Sequence, residues 1–183
     1  PVERPLGLFL GMVPEGMHLD IADTRNIQVH AFWNHTEEET ERPFYWRFWR
    51  RLPARGSIGI FFGGWYWQVL RDYAFGRIEQ AGFDQALRLI EETETMLHDD
   101  NMAVIKLWFH ISEAEQKQRL KARKAQYKKI PVLREDLKIR KKYRQYVKGA
   151  ERAIRLTDKV ECPWHLIDAS DASYRDITAG QVI

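Results

Sequence analysis

The sequence has 183 residues, of which 44% are hydrophobic, 13% aromatic and 30% charged. This length and composition predict one folded domain, residues 1–183, and exclude an intrinsically disordered chain. No apolar run approaches the ~20 residues that span a bilayer. The amino-terminal residues lack the pattern of a secretory signal, and the single cysteine, Cys162, has no disulfide partner. We therefore expect a cytoplasmic domain without membrane contact.

The net charge of +3 conceals an uneven distribution. Residues 117–148, the basic segment, contain 14 Lys and Arg and two acids, a net charge of +12, whereas the rest of the chain carries −9. A charge run is usually a solvated helix face, but a cationic flap over a crevice would suit a polyanionic phosphate substrate. The charge leaves both interpretations open. The candidate polyanion-binding residues, which flank Pro131, are Lys121, Arg123, Lys124, Lys128 and Lys129.

Hydrophobic periodicity predicts alternating strands and helices. In chain order these are strands at 6–10 and 27–32, a helix at about 36–52 opened by a capping box, a strand at 58–62, a long helix at 83–97, a strand at 103–109, a basic helix opened by a second capping box at Ser112, a helix at about 133–154, a strand at 164–167 and a short helix from about Ser170. Strands that are apolar throughout are typical of a parallel sheet covered by helices. Ligands in such folds lie at the carboxyl ends of the strands.

The turn after the first predicted strand carries two glycines at the spacing of a phosphate-binding loop. Gly11 and Gly16 fit the pattern G-x-x-x-x-G-K-[ST], but Met17 stands in place of the lysine and His18 in place of the hydroxyl. Without its cation, such a loop loses its main electrostatic contribution to phosphate binding. The spacing alone favours an ordinary strand-to-helix turn.

An aromatic and basic cluster occupies residues 44–51. Half of its aromatic side chains have the spacing of a core-facing helix surface. Arg47, Arg50 and Arg51 fall on other faces, which makes them candidates for anion binding or for an interface. No His, Cys, Asp or Glu pattern in the sequence has metal-ligand spacing, so we predict no metal site from the residues themselves.

Several segments resemble the polyphosphate kinase 2 family, in order and over nearly the whole chain. They are residues 36–53, 56–61, 65–66, 76–78 and 106–112, and the likeness is greatest to polyphosphate:AMP phosphotransferases. The resemblance implies a P-loop-kinase-like α/β fold similar to thymidylate kinase, with a parallel sheet flanked by helices and a basic helical lid at about 117–148. It also implies Mg²⁺-assisted phosphoryl transfer between inorganic polyphosphate and a nucleoside mono- or diphosphate.

The departures from the family pattern concern catalysis. Active members carry Asp-Arg after the third strand, where the carboxylate holds Mg²⁺ or accepts a proton and the arginine binds phosphate. This chain has Phe62 and Gly63 at these positions. Tyr73 stands where an arginine is expected shortly before Gly76. In two-domain members, one half keeps the catalytic residues and the other loses them, and the Phe-Gly-[Ser/Gly]-Trp-Tyr form is associated with the impaired half.

We therefore predict a catalytically impaired polyphosphate kinase 2 domain that supports an active partner half or works within a homo-oligomer. The resemblance implies Mg²⁺ as the cofactor of the family, and we do not expect this chain to bind it well. Two alternatives stay open. One is a fully active polyphosphate-dependent kinase whose phosphate-loop residues are missing from the sequence. The other is a non-enzymatic module that binds RNA or another polyanion through the basic segment.

Overall fold

A computed structural model describes the backbone of residues 7–14, 26–32, 34–126, 138 and 140–182, with their side chains except at 7–14 and 123–126. The elements are β1 (Gly7–Pro14), β2 (Ile27–Ala31), α1 (Glu37–Thr40), α2 (Trp46–Trp49), β3 (Ile58–Phe62), α3 (Gly64–Ala74), α4 (Gln80–Asp99), β4 (Met102–His110), α5 (Glu113–Gln126), α6 (Tyr143–Thr157), β5 (Trp164–Asp168) and α7 (Ala172–Val182). None of the described helices is long and apolar enough to cross a membrane.

Five strands form one sheet in the order β2-β3-β1-β4-β5. β2 runs parallel to β3, and β4 runs parallel to β5. β1 lies between β3 and β4 and is antiparallel to both, so the four other strands share one direction. The predicted α/β fold with helices on the sheet is confirmed, and the expectation that every strand is parallel is wrong for β1.

β1 also extends further than predicted. The strand was expected to stop at Gly11, but it continues to Pro14, and Gly11 pairs with Ile60 and Ile105. An apolar run suits the centre of a sheet in either direction, so its pattern does not fix the direction. Gly11 therefore lies within a strand and not in a phosphate-binding turn, and Gly16 lies outside the described residues.

The main core lies between one face of the sheet and helices α3, α4 and α6. Phe61, Phe83 and Tyr146 are at most 1% exposed there. Because side chains alternate along a strand, the other face of β4 and β5 carries a smaller cluster. Leu107 and Ile167 form that cluster and pack under α7.

The single helix predicted at 36–52 is two short helices. Thr36 Oγ1 accepts a hydrogen bond from the Glu39 amide at 3.2 Å, and Glu39 Oε2 accepts one from the Thr36 amide at 3.0 Å. The predicted capping box is therefore confirmed. α1 ends at Thr40 because Pro43 has no amide hydrogen and disfavours helical geometry in the residue before it. α2 then begins at Trp46.

The remaining elements agree with the sequence with two exceptions. Strands β2 to β5 and the long helix α4 lie where the periodicity places them. Helix α3 was not predicted. The helix expected at about 133–154 is α6, which begins at Tyr143 and ends at Thr157, and residues 127–137 lie outside the described part of the chain.

Candidate functional site

The carboxyl ends of β2, β3, β4 and β5 lie along one edge of the sheet, because these strands share a direction. Hydrogen bonds continue across this edge beyond the strands. The Phe32 amide donates to the Phe62 carbonyl at 2.9 Å, and the Ala169 amide donates to the His110 carbonyl at 2.8 Å. We call these ends the strand-end edge. Folds of this class hold their ligands there.

The turn after β3 carries no polar side chain. Gly63 and Gly64 have φ angles of 85° and 50°, a region in which glycine is favoured because it lacks a Cβ. α3 begins directly at Gly64. Phe62 is 41% exposed. The turn therefore offers an aromatic ring and backbone groups where the family resemblance leads us to expect a carboxylate and a guanidinium.

The magnesium ion implied by the resemblance does not fit this turn. Mg²⁺ takes oxygen ligands, usually including one or two carboxylates, and the side chains of residues 62–64 have no oxygen. Among the described residues, no three His, Cys, Asp or Glu side chains are grouped so as to hold a metal ion. The carboxylate of Asp72 on α3 is taken by Arg77 at 2.9 Å and by Gln68 at 3.0 Å.

Tyr73 packs inside the helical layer. Its ring stacks on Phe83 of α4, with the ring centroids 4.3 Å apart and an interplanar angle of 18°. On the other side it faces α6, where a Cβ added to Gly149 would meet Tyr73 Cδ1 at 3.0 Å. The side chain at the expected arginine position therefore joins three helices by packing.

A cation that the sequence did not single out lies where the end of β2 meets α3. Arg71 Nη1 donates to Asn34 Oδ1 at 3.3 Å, and its Nη2 donates to Gln68 Oε1 at 3.0 Å. Burial, Arg47 and Arg71 all lower the pKa of His35, although Glu39 and Asp72 oppose them, so His35 is neutral at pH 7. Arg71 is thus a positive charge at the strand-end edge, hydrogen-bonded to two amides and 3.8 Å from the Asp72 carboxylate.

Arg47 is buried, so the prediction that it lies on a face away from the core is wrong. It is 7% exposed, and its guanidinium lies 3.3 Å from Glu39 Oε2. It also lies over the rings of Phe32 and Phe48, at 5.3 and 5.6 Å from their centroids. Arg47 thus lies on the side of α2 that faces Phe32, just after β2. Arg47 is therefore committed to the core.

The other two arginines of the cluster are exposed. Arg50 lies over the Trp46 ring at 4.5 Å from its centroid and 3.7 Å from Glu38. Burial, which is the larger cause, and the positive charge of Arg51 both lower the pKa of His30 on β2. Their predicted role in anion binding or at an interface remains a prediction.

A buried ion pair lies behind the turn. Lys106 of β4 is 0% exposed and Glu94 of α4 is 2% exposed, and Lys106 Nζ lies 2.7 Å from Glu94 Oε2. Burial raises the pKa of Glu94, while Lys106 and the hydrogen bonds to Glu94 oppose that shift. The signal was present in the sequence: an acid interrupts the apolar face of a helix, and a lysine interrupts an apolar strand.

Three aromatic residues are tied to this pair. Trp65 Nε1 donates to Glu94 Oε1 at 3.0 Å. Tyr66 OH and Trp164 Nε1 both donate to Thr157 Oγ1, at 2.9 and 3.0 Å. Lys106 Nζ donates to the carbonyl oxygen of Thr157 at 2.6 Å. The Trp65-Tyr66 dipeptide of the family resemblance is thus held by a buried hydrogen-bond network.

Ser112 Oγ accepts from the Glu115 amide at 3.1 Å, as its predicted capping position requires. The basic segment, which follows, is attached to the strand-end edge through Arg119 and Tyr143. Arg119 Nη2 donates to the carbonyls of Ala169 and Ser170, at 2.9 and 2.8 Å. Tyr143 OH donates to the Ile111 carbonyl at 2.8 Å.

Of the candidate polyanion-binding residues, Lys121 is exposed on α5. Arg123 and Lys124 belong to α5 by their backbone. Lys128 and Lys129 lie outside the described residues. Their role in binding polyphosphate stays a prediction.

Comparison with known proteins agrees with the sequence resemblance. Residues 17–183 match the family model polyphosphate kinase 2. The chain is 40% identical over 165 residues to the polyphosphate:AMP phosphotransferase of Pseudomonas aeruginosa, a match that covers 88% of this chain and 33% of that protein. It is 31% identical over 165 residues to the AMP/ADP-polyphosphate phosphotransferase of Meiothermus ruber, covering 90% of this chain and 62% of that protein.

A solved structure gives the same assignment. Polyphosphate kinase 2 from Arthrobacter aurescens matches with a TM-score of 0.78 and 29% identity, over 87% of this chain and 57% of that one. The chain spans about a third of the length of the Pseudomonas relatives. The antiparallel strand β1 precedes residue 17, where the family match begins. The chain belongs to the polyphosphate kinase 2 family.

Proposed function

We propose that this chain is a catalytically impaired domain of a polyphosphate-dependent phosphotransferase. In this proposal the basic segment binds inorganic polyphosphate, and the chain supports an active domain of the same family that phosphorylates AMP or ADP. The active domain is a second half of a longer protein or another subunit, and it holds the Mg²⁺. The observation that carries the proposal is the turn after β3, whose side chains bear neither charge nor oxygen.

The physical reason lies in the demands of phosphoryl transfer. Catalysis of this reaction rests on positioning the phosphates and on neutralising their charge with metal ions, Lys and Arg. Phe62 and Gly63 supply neither, and Tyr73 is committed to packing on Phe83. The +12 charge of the basic segment still favours a polyanion. Attraction of polyphosphate is thus retained, while the groups that act on it at this turn are not.

The direct test compares binding with turnover in the 183-residue chain. We expect inorganic polyphosphate to bind, measured by calorimetry, while formation of ADP or ATP from AMP or ADP with polyphosphate and Mg²⁺ stays far below the roughly 1–100 s⁻¹ of ordinary kinases. A turnover within that range would show that the domain is an active kinase. Equal affinity for unstructured RNA and polyphosphate, with no effect of nucleotide, would support the polyanion-binding alternative.

The double variant Phe62→Asp/Gly63→Arg tests whether the turn limits activity. We expect a measurable gain in turnover over the unmodified chain, provided that circular dichroism shows a native fold. Gly63 has a φ of 85°, so an arginine there carries strain of about 1–2 kcal/mol. The matched control, Leu166→Asp/Gly180→Arg, introduces the same charges where Leu166 is 65% exposed and a Cβ at Gly180 meets no atom. An equal gain in the control would contradict the role of the turn.

A further inference from the structure

The guanidinium of Arg71 on α3 is held mainly by uncharged groups. Its Nη1 and Nη2 donate to the side-chain oxygens of Asn34 and Gln68. Its Nε is buried and has no hydrogen-bond partner in the described part of the chain, and Asp72 Oδ1 lies 3.8 Å from it. That oxygen already accepts a hydrogen bond from Arg77 at 2.9 Å. The positive charge of Arg71 is therefore only partly compensated by the protein.

Asn34 is the exposed partner of this guanidinium. It follows β2 at the strand-end edge and is exposed, whereas the Arg71 side chain is 11% exposed. The hydrogen bond that joins them measures 3.3 Å, which is longer than the usual ~2.9–3.0 Å. An ionised oxygen binds a guanidinium more tightly than an amide oxygen does, because the attraction between two full charges is added. An anion from solvent can therefore replace Asn34 on Arg71.

The electrostatic potential beside Arg71 favours an anion, and His35 reports it. Burial, Arg47 and Arg71 lower the pKa of His35, and the carboxylates of Glu39 and Asp72 oppose them. Arg47 acts more strongly than Glu39, and Arg71 acts more strongly than Asp72. The cations therefore outweigh the acids at the histidine. A ligand with negative charge is attracted to such a place.

The donors at this place select the kind of ligand. A guanidinium and an imidazole donate hydrogen bonds to ionised oxygens, and Arg is the residue that most often recognises phosphate groups in this way. The two acids nearby are already bonded to arginines, Glu39 to Arg47 and Asp72 to Arg77. The group therefore suits an oxyanion and not a metal ion. In a chain of this family, the oxyanion that fits is a phosphate group.

We propose that Arg71 and His35 form a binding site for a single phosphate group, between the segment that follows β2 and helix α3. A phosphate oxygen replaces Asn34 on Nη1 of Arg71, while Gln68 continues to hold Nη2. The phosphate group belongs to a mononucleotide or to the end of a polyphosphate chain. The site contains no residue of the basic segment, so it goes beyond the proposed function and does not depend on it.

Sulfate is the first probe of the site, because it keeps its double charge at neutral and mildly acidic pH, whereas phosphate does not. Titration of the 183-residue chain, followed by amide NMR, should give saturable shifts at residues 34–35 and 68–72. Arg71→Gln removes the cation, and Asn34→Asp places a competing carboxylate on it at an exposed position. Each should weaken sulfate binding by about tenfold or more, as the loss of a hydrogen bond between charged groups requires.

Matched controls make the same changes of charge at the opposite edge of the sheet. Arg55→Gln lies just before β3, where the side chain is 87% exposed, and Asn101→Asp lies just before β4 at an exposed position. Each should change the affinity for sulfate by less than about twofold, because salt screens charges at that distance. Binding that persists in both Arg71→Gln and Asn34→Asp, or that is lost equally in the controls, would overturn the inference.

The pH dependence of sulfate binding tests the part assigned to His35. A bound dianion offsets the effect of Arg47 and Arg71 and favours the charged imidazole, so the affinity should rise as the pH falls from 8 to 6. In His35→Gln the affinity should not rise in this way. An equal rise in His35→Gln would show that His35 takes no part in the site.

Competition with sulfate identifies the source of the phosphate group. Displacement by AMP, seen as reversal of the shifts at residues 68–72, would assign the site to a mononucleotide. Displacement by tripolyphosphate and not by AMP would assign it to the end of polyphosphate. Displacement by neither would overturn the assignment to phosphate. The proposed function would survive that result, because binding of long polyphosphate to the basic segment is measured separately.

Discussion

Tyr73 packs at a position where the family resemblance leads us to expect a phosphate-binding arginine. The aromatic ring is stacked on Phe83 and fills space beside Gly149. A guanidinium at this place would have to leave the helical layer or remain desolvated within it. The surroundings of residue 73 therefore suit an aromatic ring and not a guanidinium.

Tyr73→Arg should destabilise the protein without restoring activity. We expect the free energy of unfolding to fall by about 1–3 kcal/mol, since the stacked pair and its buried area are lost. Urea denaturation measures this difference. Tyr174→Arg is the control, because Tyr174 is 57% exposed and its replacement should change stability by less than about 0.5 kcal/mol. Equal effects of the two substitutions would contradict the packing role of Tyr73.

Cys162 is a buried thiol, and we expect it to be unreactive in the native protein. It is 3% exposed, and burial, with the negative charge of Glu94, raises its pKa to about 11. At pH 8 only about one thiol in a thousand is ionised, and the thiolate is the reactive form. Titration with a disulfide reagent should detect no thiol at pH 8 until guanidinium unfolds the chain. Rapid stoichiometric reaction of the folded protein would refute this.

At the scale of the elements, the sequence predicts those whose periodicity is simple. α4 and β4 each bury a regular face, and the Thr36 cap has a side-chain signature of its own. α3 escapes prediction because it follows two glycines and buries seven of its eleven residues, which leaves only a narrow polar face of Gln68, Arg71 and Asp72 to mark a helical period. The direction of β1 is not predicted either, because an apolar run looks the same in a parallel and in an antiparallel strand.

The contact between α4 and α6 gives a prediction that depends on pH. Arg152 donates two hydrogen bonds of 2.6 Å to the carboxylate of Asp84 and lowers its pKa. The pair therefore stabilises the fold above the usual pKa of an aspartate, and that contribution is lost as the pH falls through the lowered value. Both side chains keep some solvent contact, so the contribution is modest.

Asp84→Asn should reduce the free energy of unfolding at pH 7 by about 0.5–1 kcal/mol. The difference from the unmodified protein should shrink as the pH falls below the ordinary aspartate range. Urea denaturation at pH 7 and under acid conditions measures both values. Glu151→Gln is the control, since it removes a charge from an exposed position on α6. A loss for Asp84→Asn that does not vary with pH would contradict the ion-pair explanation.

At the scale of the whole molecule, the sequence predicts where the strands end better than which side chains meet there. The strand ends and the basic segment follow from local pattern and charge. The contact between Arg71 and Asn34 joins residues 37 positions apart, and the one between Lys106 and Thr157 joins residues 51 apart. Such pairs are created by the packing of helices on the sheet, so no local spacing indicates them. Glu94 and Lys106 were visible only as exceptions to an apolar pattern.

The basic segment carries a net charge of +12, and the rest of the chain, here called the body, carries −9. This difference predicts how the affinity for polyphosphate depends on position and salt. Replacing three exposed cations of the basic segment by Gln should lower the affinity by about tenfold at 0.1 M salt, where screening acts over about 10 Å, and by far less at 1 M, where it acts over about 3 Å. These cations are Lys121, Lys141 and Lys148. The control makes the same change of charge in the body, at exposed Arg55, Arg88 and Arg155. The net charge changes equally in both variants. An equal loss of affinity would therefore mean that polyphosphate responds to the total charge of the molecule. A loss at low salt that is confined to the variant of the basic segment would mean that this segment binds polyphosphate.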